Sequence, residues 1–141
     1  MPLEIKARHK VLQMISYELT SYRSPCLKLY YSEIIGPRFF KKPAGTKDEV
    51  KALKEAWDKE LSNLEVYLKA SKGPYLTGEN FTMADSNIFL FTSLVVHNKI
   101  ANLDSHPEVK DWYELCASQT GPKKVLEAAD GFWAMIASKS G

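Results

Sequence analysis

Cysteine is scarce in this sequence, and no residues have the spacing of a redox or metal motif. The two cysteines, Cys26 and Cys116, are far apart and cannot form a CxxC pair. His9 and His106 have no cysteine or carboxylate partners at metal-ligand spacing, so we predict no metal site. The first residues, MPLEIKAR, lack the apolar core of a signal peptide. Without a secretory signal, both thiols are expected to be free in a reducing compartment, and the expected location is cytoplasmic.

Long apolar runs and a strong charge surplus are also missing. No apolar run approaches the roughly 20 residues that cross a bilayer, so no membrane partner is expected. The 19 basic and 17 acidic residues are interspersed and give a net charge of +2. One cluster, Arg38, Lys41 and Lys42 with Phe39 and Phe40 between them, combines cations and aromatic rings as nucleic-acid-binding segments do. Its charges are too few for a phosphate-binding surface, and we interpret it as a solvated loop without a nucleic-acid partner.

No segment shows the strict alternation of a β-strand, and the apolar spacing is helical throughout. The sequence therefore predicts an all-α fold, with residues 1–141 forming a single domain large enough to bury a core. A first helix is predicted from about Leu3 to Thr20. Ser24-Pro25 favours the start of a second helix, which is predicted to stop at Gly36-Pro37.

Three later segments have the spacing of a helical capping box, in which two residues satisfy each other's free backbone amides. They are Thr46 with Glu49, Thr82 with Asp85, and Ser105 with Glu108. The first box opens a long amphipathic helix to about Ala70. The helix after the second box is apolar around most of its circumference and is expected to be buried on several sides. The third capping box opens another helix. Gly121-Pro122 is predicted to end that helical region, and a short last helix is predicted to follow.

The stretch from Tyr75 to Asp85, YLTGENFTMAD, is the most informative segment. The Thr82 hydroxyl is positioned to accept from the amide of Asp85, whose carboxylate can reach back to the amide of Thr82. A negative charge in the first turn also suits the positive end of the helix dipole. As a whole, the stretch resembles the entry to the buried central helix of glutathione S-transferase C-terminal domains.

Other segments extend the resemblance over the whole chain. They are LEVYL at 64–68, HPEVKDW at 106–112 and PKKVL at 122–126. The first half is most similar to the phi, theta or rho-like classes. The resemblance implies an all-helical bundle around a buried, box-capped central helix.

Two departures from the family pattern stand out. The family usually places an apolar residue directly after the box aspartate, where it packs against the residue before the cap. Here that residue is Ser86, so we expect Phe81 to contact Ile88 or Phe89 instead. The second departure is that the family's thioredoxin-like N-terminal domain, which binds glutathione and activates its thiol, is absent from this sequence. Glutathione is then a co-substrate only if the parent protein supplies that domain, and the chain is predicted to be inactive alone.

The resemblance implies that this domain supplies the hydrophobic wall of the electrophile pocket. The matching region contains Met14, Tyr17 and Tyr22, which suit an adaptable apolar surface. The alternative is that these residues pack in the core or face the missing domain. Cys26 lies near a predicted helix start but has no histidine partner nearby, so no catalytic residue is named. His97 is interpreted as a cap at the end of the central helix.

A second function remains open from the sequence. Domains of this fold also act as stand-alone protein-interaction modules, as in the translation elongation factor 1B gamma subunit and in multisynthetase scaffolds. The expected partners are a second copy of the chain, a thioredoxin-like domain, or a hydrophobic small molecule.

Overall fold

The computed structural model describes residues 2–139, which form helices and connecting turns and contain no β-strand. The all-α prediction is confirmed. The α-helices are α1 (Ile5–Tyr17), α2 (Arg23–Tyr30), α3 (Gly36–Phe39), α4 (Lys47–Ala70), α5 (Met83–Val96), α6 (Pro107–Ala117) and α7 (Thr120–Lys139). None of them is long and apolar enough to pass through a bilayer.

The first three helices form one continuous helical segment. Short π-helical turns, Glu18–Tyr22 and Tyr31–Ile35, join them without a break. The predicted start at Ser24-Pro25 and stop at Gly36-Pro37 are therefore wrong. Proline lacks an amide donor and crowds the carbonyl group four residues earlier, but each proline here follows a wider π turn that makes room for its ring. The segment ends where Lys41 adopts a left-handed conformation with φ 51°.

Helix α5 lies at the centre of the bundle, against α1, α2, α6 and α7, while α4 packs on α2 and α6. Its capping box at Thr82 is present, and so is the box at Thr46 that opens α4. Burial of α5 is less complete than predicted, because Leu90 is 42% exposed and Phe91 and Leu94 are only half-buried. Leu90 lines a cavity together with the first turn of α7, and the Arg23 guanidinium lies over the Phe91 ring, so among residues 2–139 this side of α5 is only partly covered.

The third predicted capping box does not form. Pro107 occupies the first turn of α6, which makes His106 the N-cap residue instead of Ser105, and no side chain caps this helix end. The position of the proline sets the helix start, since its fixed φ suits the first helical residue. The His106 side chain turns to α4, where its Nε2 lies 2.6 Å from Asp58 Oδ1 and its Nδ1 lies 3.8 Å from Glu65 Oε2.

The last helix is much longer than predicted. Gly121-Pro122 lies in the first turn of α7 and does not end a helix, and α7 continues to Lys139. Its buried and half-buried positions recur every three or four residues along one side, which packs against α5 and α6. The apolar residues near the C-terminal end of the chain thus lie in the second half of this helix.

Candidate functional site

Two of the three predicted pocket residues lie in the hydrophobic core. Met14 is 4% exposed and Tyr22 is fully buried. The Tyr22 hydroxyl lies 2.8 Å from the Thr92 hydroxyl. Since that hydroxyl donates to the Ile88 carbonyl oxygen at 2.7 Å, Tyr22 is the donor of the pair. Burial holds the pKa of Tyr22 well above its ordinary value, so it is a neutral hydrogen-bond donor inside the bundle.

The third residue, Tyr17, is half-buried between α1 and α4. Its hydroxyl donates to Glu60, at 2.7 Å to the carboxylate Oε2 and 3.2 Å to the backbone carbonyl oxygen. Its ring lies 5.0 Å from that of Tyr67 and 6.2 Å from that of Tyr22. Burial, together with the adjacent Glu60 carboxylate, raises the pKa of Tyr17. The structure thus places Tyr17 at a helix–helix contact.

Asp85 joins three parts of the chain in addition to capping α5. Its Oδ2 accepts from the Thr82 amide at 3.0 Å and from the Thr82 hydroxyl at 3.2 Å. Its Oδ1 accepts from the Leu76 amide and from Trp112 Nε1, both at 2.9 Å. The carboxylate is fully buried, and these four donors replace the water it loses.

The loop that brings Leu76 to Asp85 depends on close backbone approach. A Cβ atom on Gly73 would lie 2.4 Å from the backbone of Gly78, which itself has φ 135°. Tyr75 and Gly78 exchange backbone hydrogen bonds across this turn. Glycine at both positions thus lets the loop fold tightly against the start of α5.

Neither cysteine is placed to act as a nucleophile. Cys26 and Cys116 are fully buried free thiols. Burial raises the pKa of Cys26 to about 12 and also raises that of Cys116. Within residues 2–139 there is no group of three or more histidine, cysteine or acidic side chains that could hold a metal ion.

His97 lies at the C-terminal end of α5, as predicted for a cap. Its backbone amide donates to the Ser93 carbonyl oxygen, and its Nε2 lies 2.7 Å from Asp130 Oδ1 on α7. Its side chain therefore also links the central helix to the last one.

A surface that the sequence did not predict joins the end of α3 to α7. We call it the aromatic patch and define it by Tyr31, Phe39, Phe40, Phe132 and Trp133. Ring centroids lie 6.2 Å apart for Tyr31 and Phe40, 6.1 Å for Phe39 and Trp133, and 5.1 Å for Phe132 and Trp133. Four of the five rings are more than 40% exposed, and Phe40 reaches 60%. The rings thus form an accessible apolar surface.

Cations surround the aromatic patch. The Arg38 guanidinium lies 4.5 Å from the centroid of the Trp133 ring. Lys42 Nζ lies 5.9 Å from the Tyr31 ring centroid and 3.4 Å from its hydroxyl. Lys41 follows Phe40 and is exposed. Across the residues that the structure describes, no carboxylate forms an ion pair with Arg38, Lys41 or Lys42.

Comparison with known protein families decides the identity of this bundle. The family described as glutathione S-transferase, C-terminal domain, matches residues 27–120. The chain belongs to this family. No curated protein matches this C-terminal domain in sequence.

Solved structures share the fold of this glutathione S-transferase C-terminal domain. Glutathione S-transferase I with bound lactoylglutathione superposes with a TM-score of 0.74 at 22% identity, over 88% of this chain and 58% of that one. A glutathione S-transferase from Pseudomonas fluorescens superposes with a TM-score of 0.68 at 23% identity, over 85% of this chain and 56% of that one. A glutathione S-transferase from Xanthobacter autotrophicus superposes with a TM-score of 0.68 at 21% identity, over 86% of this chain and 56% of that one. The chain thus spans little more than half the length of these relatives.

Sequence reasoning missed the aromatic patch for a simple reason. Phe39-Phe40 and Phe132-Trp133 are separated by most of the chain, and only the packing of α7 brings them together. In the sequence, the first pair lies within a basic cluster and the second within an apolar segment near the C-terminal end. Their exposure, which distinguishes a surface from a core, depends on the tertiary structure.

Proposed function

We propose that this domain forms the hydrophobic electrophile wall of a cytoplasmic transferase that conjugates glutathione to apolar electrophiles. Membership of the family supports the proposal, and so does the length of the structural relatives, which extend well beyond the region that this chain matches. A thioredoxin-like domain of the same protein would bind glutathione. The residues of this chain would then contact the second substrate.

The exposed side of α5 supports a second domain docked against this one. Leu90 is exposed and Phe91 and Leu94 are half-buried, so they form a partly accessible apolar strip on α5. The Arg23 guanidinium lies 4.7 Å from the Phe91 ring centroid, and its Nε donates to the fully buried Glu18 carboxylate at 2.7 Å. Apolar strips of this kind are common where domains or subunits meet. A thioredoxin-like domain or a second copy of the chain is the proposed partner.

The aromatic patch is our candidate for the electrophile wall. A wall built from Met14, Tyr17 and Tyr22 remains the prediction from the sequence, but ligand access to the fully buried Tyr22 would require opening the core, and Met14 is 4% exposed at a small cavity of about 130 Å³. The rings of Tyr31, Phe40 and their neighbours are accessible without any rearrangement. Aromatic side chains bind apolar ligands through large contact areas at low conformational cost.

Such a wall cannot catalyse conjugation alone. An apolar surface stabilises the bound substrate and the transition state about equally, so it lowers KM without increasing the rate of thiol attack. Without fixed donors to stabilise the thiolate, glutathione keeps an ordinary thiol pKa of about 8.5 and is mostly protonated at neutral pH. We therefore expect the isolated chain to be inactive.

The test compares the chain alone with a chimera that carries the thioredoxin-like domain of a structural relative at its N-terminus. Conjugation of glutathione to 1-chloro-2,4-dinitrobenzene is measured for both. We expect no rate above the uncatalysed one for the chain alone, turnover for the chimera, and a raised KM for the electrophile in a Phe40→Ala chimera. Turnover by the isolated chain would contradict the proposal. So would a folded, glutathione-binding chimera without activity, which would favour an interaction module instead.

A further inference from the structure

We propose that the aromatic patch selects ligands that are both aromatic and anionic, so that the electrophiles bound there carry a carboxylate or a similar acid group. The inference rests on the proposed electrophile wall and adds a substrate class to it. It comes from the cations around the patch, which an apolar wall alone does not need.

The cations around the patch form a local excess of positive charge. Between Glu33 and Asp48 the chain contains Arg38, Lys41 and Lys42, with Lys47 further along, and no acidic residue. This contrasts with the chain as a whole, where acidic and basic residues nearly balance. A local excess of one sign attracts ligands of the opposite sign.

The contacts between these cations and the aromatic rings do not neutralise the positive charge as a bound anion would. A cation over an aromatic face is attracted by the ring quadrupole, but its charge is not neutralised. Arg38 over Trp133 and Lys42 beside Tyr31 thus remain available to a carboxylate. Lys41 has no ring or carboxylate contact among the described residues. Three cationic groups therefore lie at the edge of an exposed aromatic surface without a bound counter-charge from the protein.

The backbone holds two of these groups beside the rings. Lys41 has a left-handed conformation at φ 51°, and the Lys42 amide donates to the Gly36 carbonyl oxygen at 3.1 Å, so the chain turns back on the end of α3. This turn keeps Lys42 against Tyr31 and next to Phe40. A flat ligand on the exposed face of Phe40 would therefore place an acid group within reach of lysine ammonium groups.

The expected ratio of affinities for an anionic and a neutral ligand follows from the strength of ordinary exposed ion pairs. One such pair changes an affinity by about two- to fivefold. Two cations acting on one carboxylate therefore predict a preference of about tenfold over a neutral isostere, decreasing as salt is added.

The test uses the 141-residue chain with two ligands of the same shape, naphthalene-2-carboxylate and the neutral naphthalene-2-carboxamide. Affinities are measured by calorimetry at low salt. Ring shifts in NMR spectra locate the site, since Trp133 is more accessible than Trp57 and Trp112, each of which is 2% exposed. We expect the carboxylate to bind about tenfold more tightly than the carboxamide, with shifts at Trp133.

The charge variant is Lys41→Gln/Lys42→Gln, and its matched control is Lys6→Gln/Lys10→Gln. The control changes the net charge equally, but its exposed lysines lie near the opposite end of the first helical segment, roughly 45 Å away at 1.5 Å per residue. We expect the preference to fall to about twofold in the first variant and to persist in the control. Circular dichroism verifies that both variants remain folded.

Three results would overturn the inference. Equal binding of the two ligands at Trp133 would exclude anion selection but leave the aromatic wall intact. A preference that survives in Lys41→Gln/Lys42→Gln and disappears in the control would place the anion site elsewhere. Binding of neither ligand would exclude both the anion site and an electrophile wall at the aromatic patch.

Discussion

Trp112 donates its indole N–H to Oδ1 of Asp85 at 2.9 Å, which ties the first turn of the central helix to α6. Both residues are buried, Asp85 completely and Trp112 to 2% exposure. The sequence predicts Asp85 as one half of a capping box and as a negative charge that suits the helix dipole. In the structure the same carboxylate also fixes the loop at Leu76, so one side chain joins three segments.

We expect Asp85→Ala to lower the free energy of unfolding by about 3–4 kcal/mol. Loss of the cap accounts for about 1 kcal/mol, and the buried donors of Leu76 and Trp112, left without an acceptor, each add about 1 kcal/mol or more. Urea denaturation measures the change. Asp104→Ala is the control, because its exposed pair with Lys110 predicts a loss within about 1 kcal/mol. A loss below about 1 kcal/mol for Asp85→Ala would show that the buried bonds contribute little.

We expect Ser86→Leu to stabilise the domain by about 1 kcal/mol. Ser86 and Phe81 line one cavity of about 490 Å³ between the start of α5 and the start of α7. Phe81 packs edge-on against Tyr75 at 5.8 Å between ring centroids, and a leucine at position 86 would add the apolar contact that the family usually has there. Thermal denaturation compares it with Ser86→Ala, which removes the hydroxyl without filling the cavity. Equal thermal unfolding midpoints for Ser86→Leu and Ser86→Ala would show that the leucine makes no stabilising contact with Phe81.

We expect the hydroxyl of Tyr22 to matter more for stability than that of Tyr17. Tyr22→Phe removes a fully buried hydrogen bond to Thr92 and should cost about 1–2 kcal/mol. Tyr17→Phe removes a half-buried bond to Glu60 and should cost less than about 1 kcal/mol. Denaturant unfolding of both variants tests the order. Unchanged stability of Tyr22→Phe, together with weaker binding of an apolar dye, would instead support Tyr22 as a pocket residue.

We expect stability to fall above pH 9. The thiol of Cys26 ionises at its ordinary value of 9.0 in the unfolded chain, whereas burial raises its pKa to about 12 in the folded chain. Its contribution is complete below pH 9 and is lost as the pH rises from 9 to 12, by about 1.4 kcal/mol per pH unit. Chemical denaturation at pH 7 and pH 10 measures the loss. Cys26→Ala should lose less stability over that interval, and an equal loss would contradict the contribution of the thiol.

The sequence by itself determined the helices whose ends are fixed by neighbouring residues. The box of Thr46 with Glu49 predicted the start of α4, and the box at Thr82 predicted the start of α5, because a capping box is made within one turn of the chain. Where two local signals competed, as Ser105 and Pro107 did, the stricter backbone constraint of proline prevailed.

Only the tertiary structure decided features that depend on distant residues. Pro25 does not begin a helix and Pro37 does not end one, because π turns and the packing of one continuous segment against α4 and α5 accommodate both prolines. Tyr22 is a core residue because α4 and α5 pack over its turn, where Thr92, far away in sequence, accepts a hydrogen bond from its hydroxyl. The aromatic patch exists because α7 brings Trp133 to Phe39. Local spacing cannot encode such contacts, since whether a side chain is buried or exposed is set by the element packed over it.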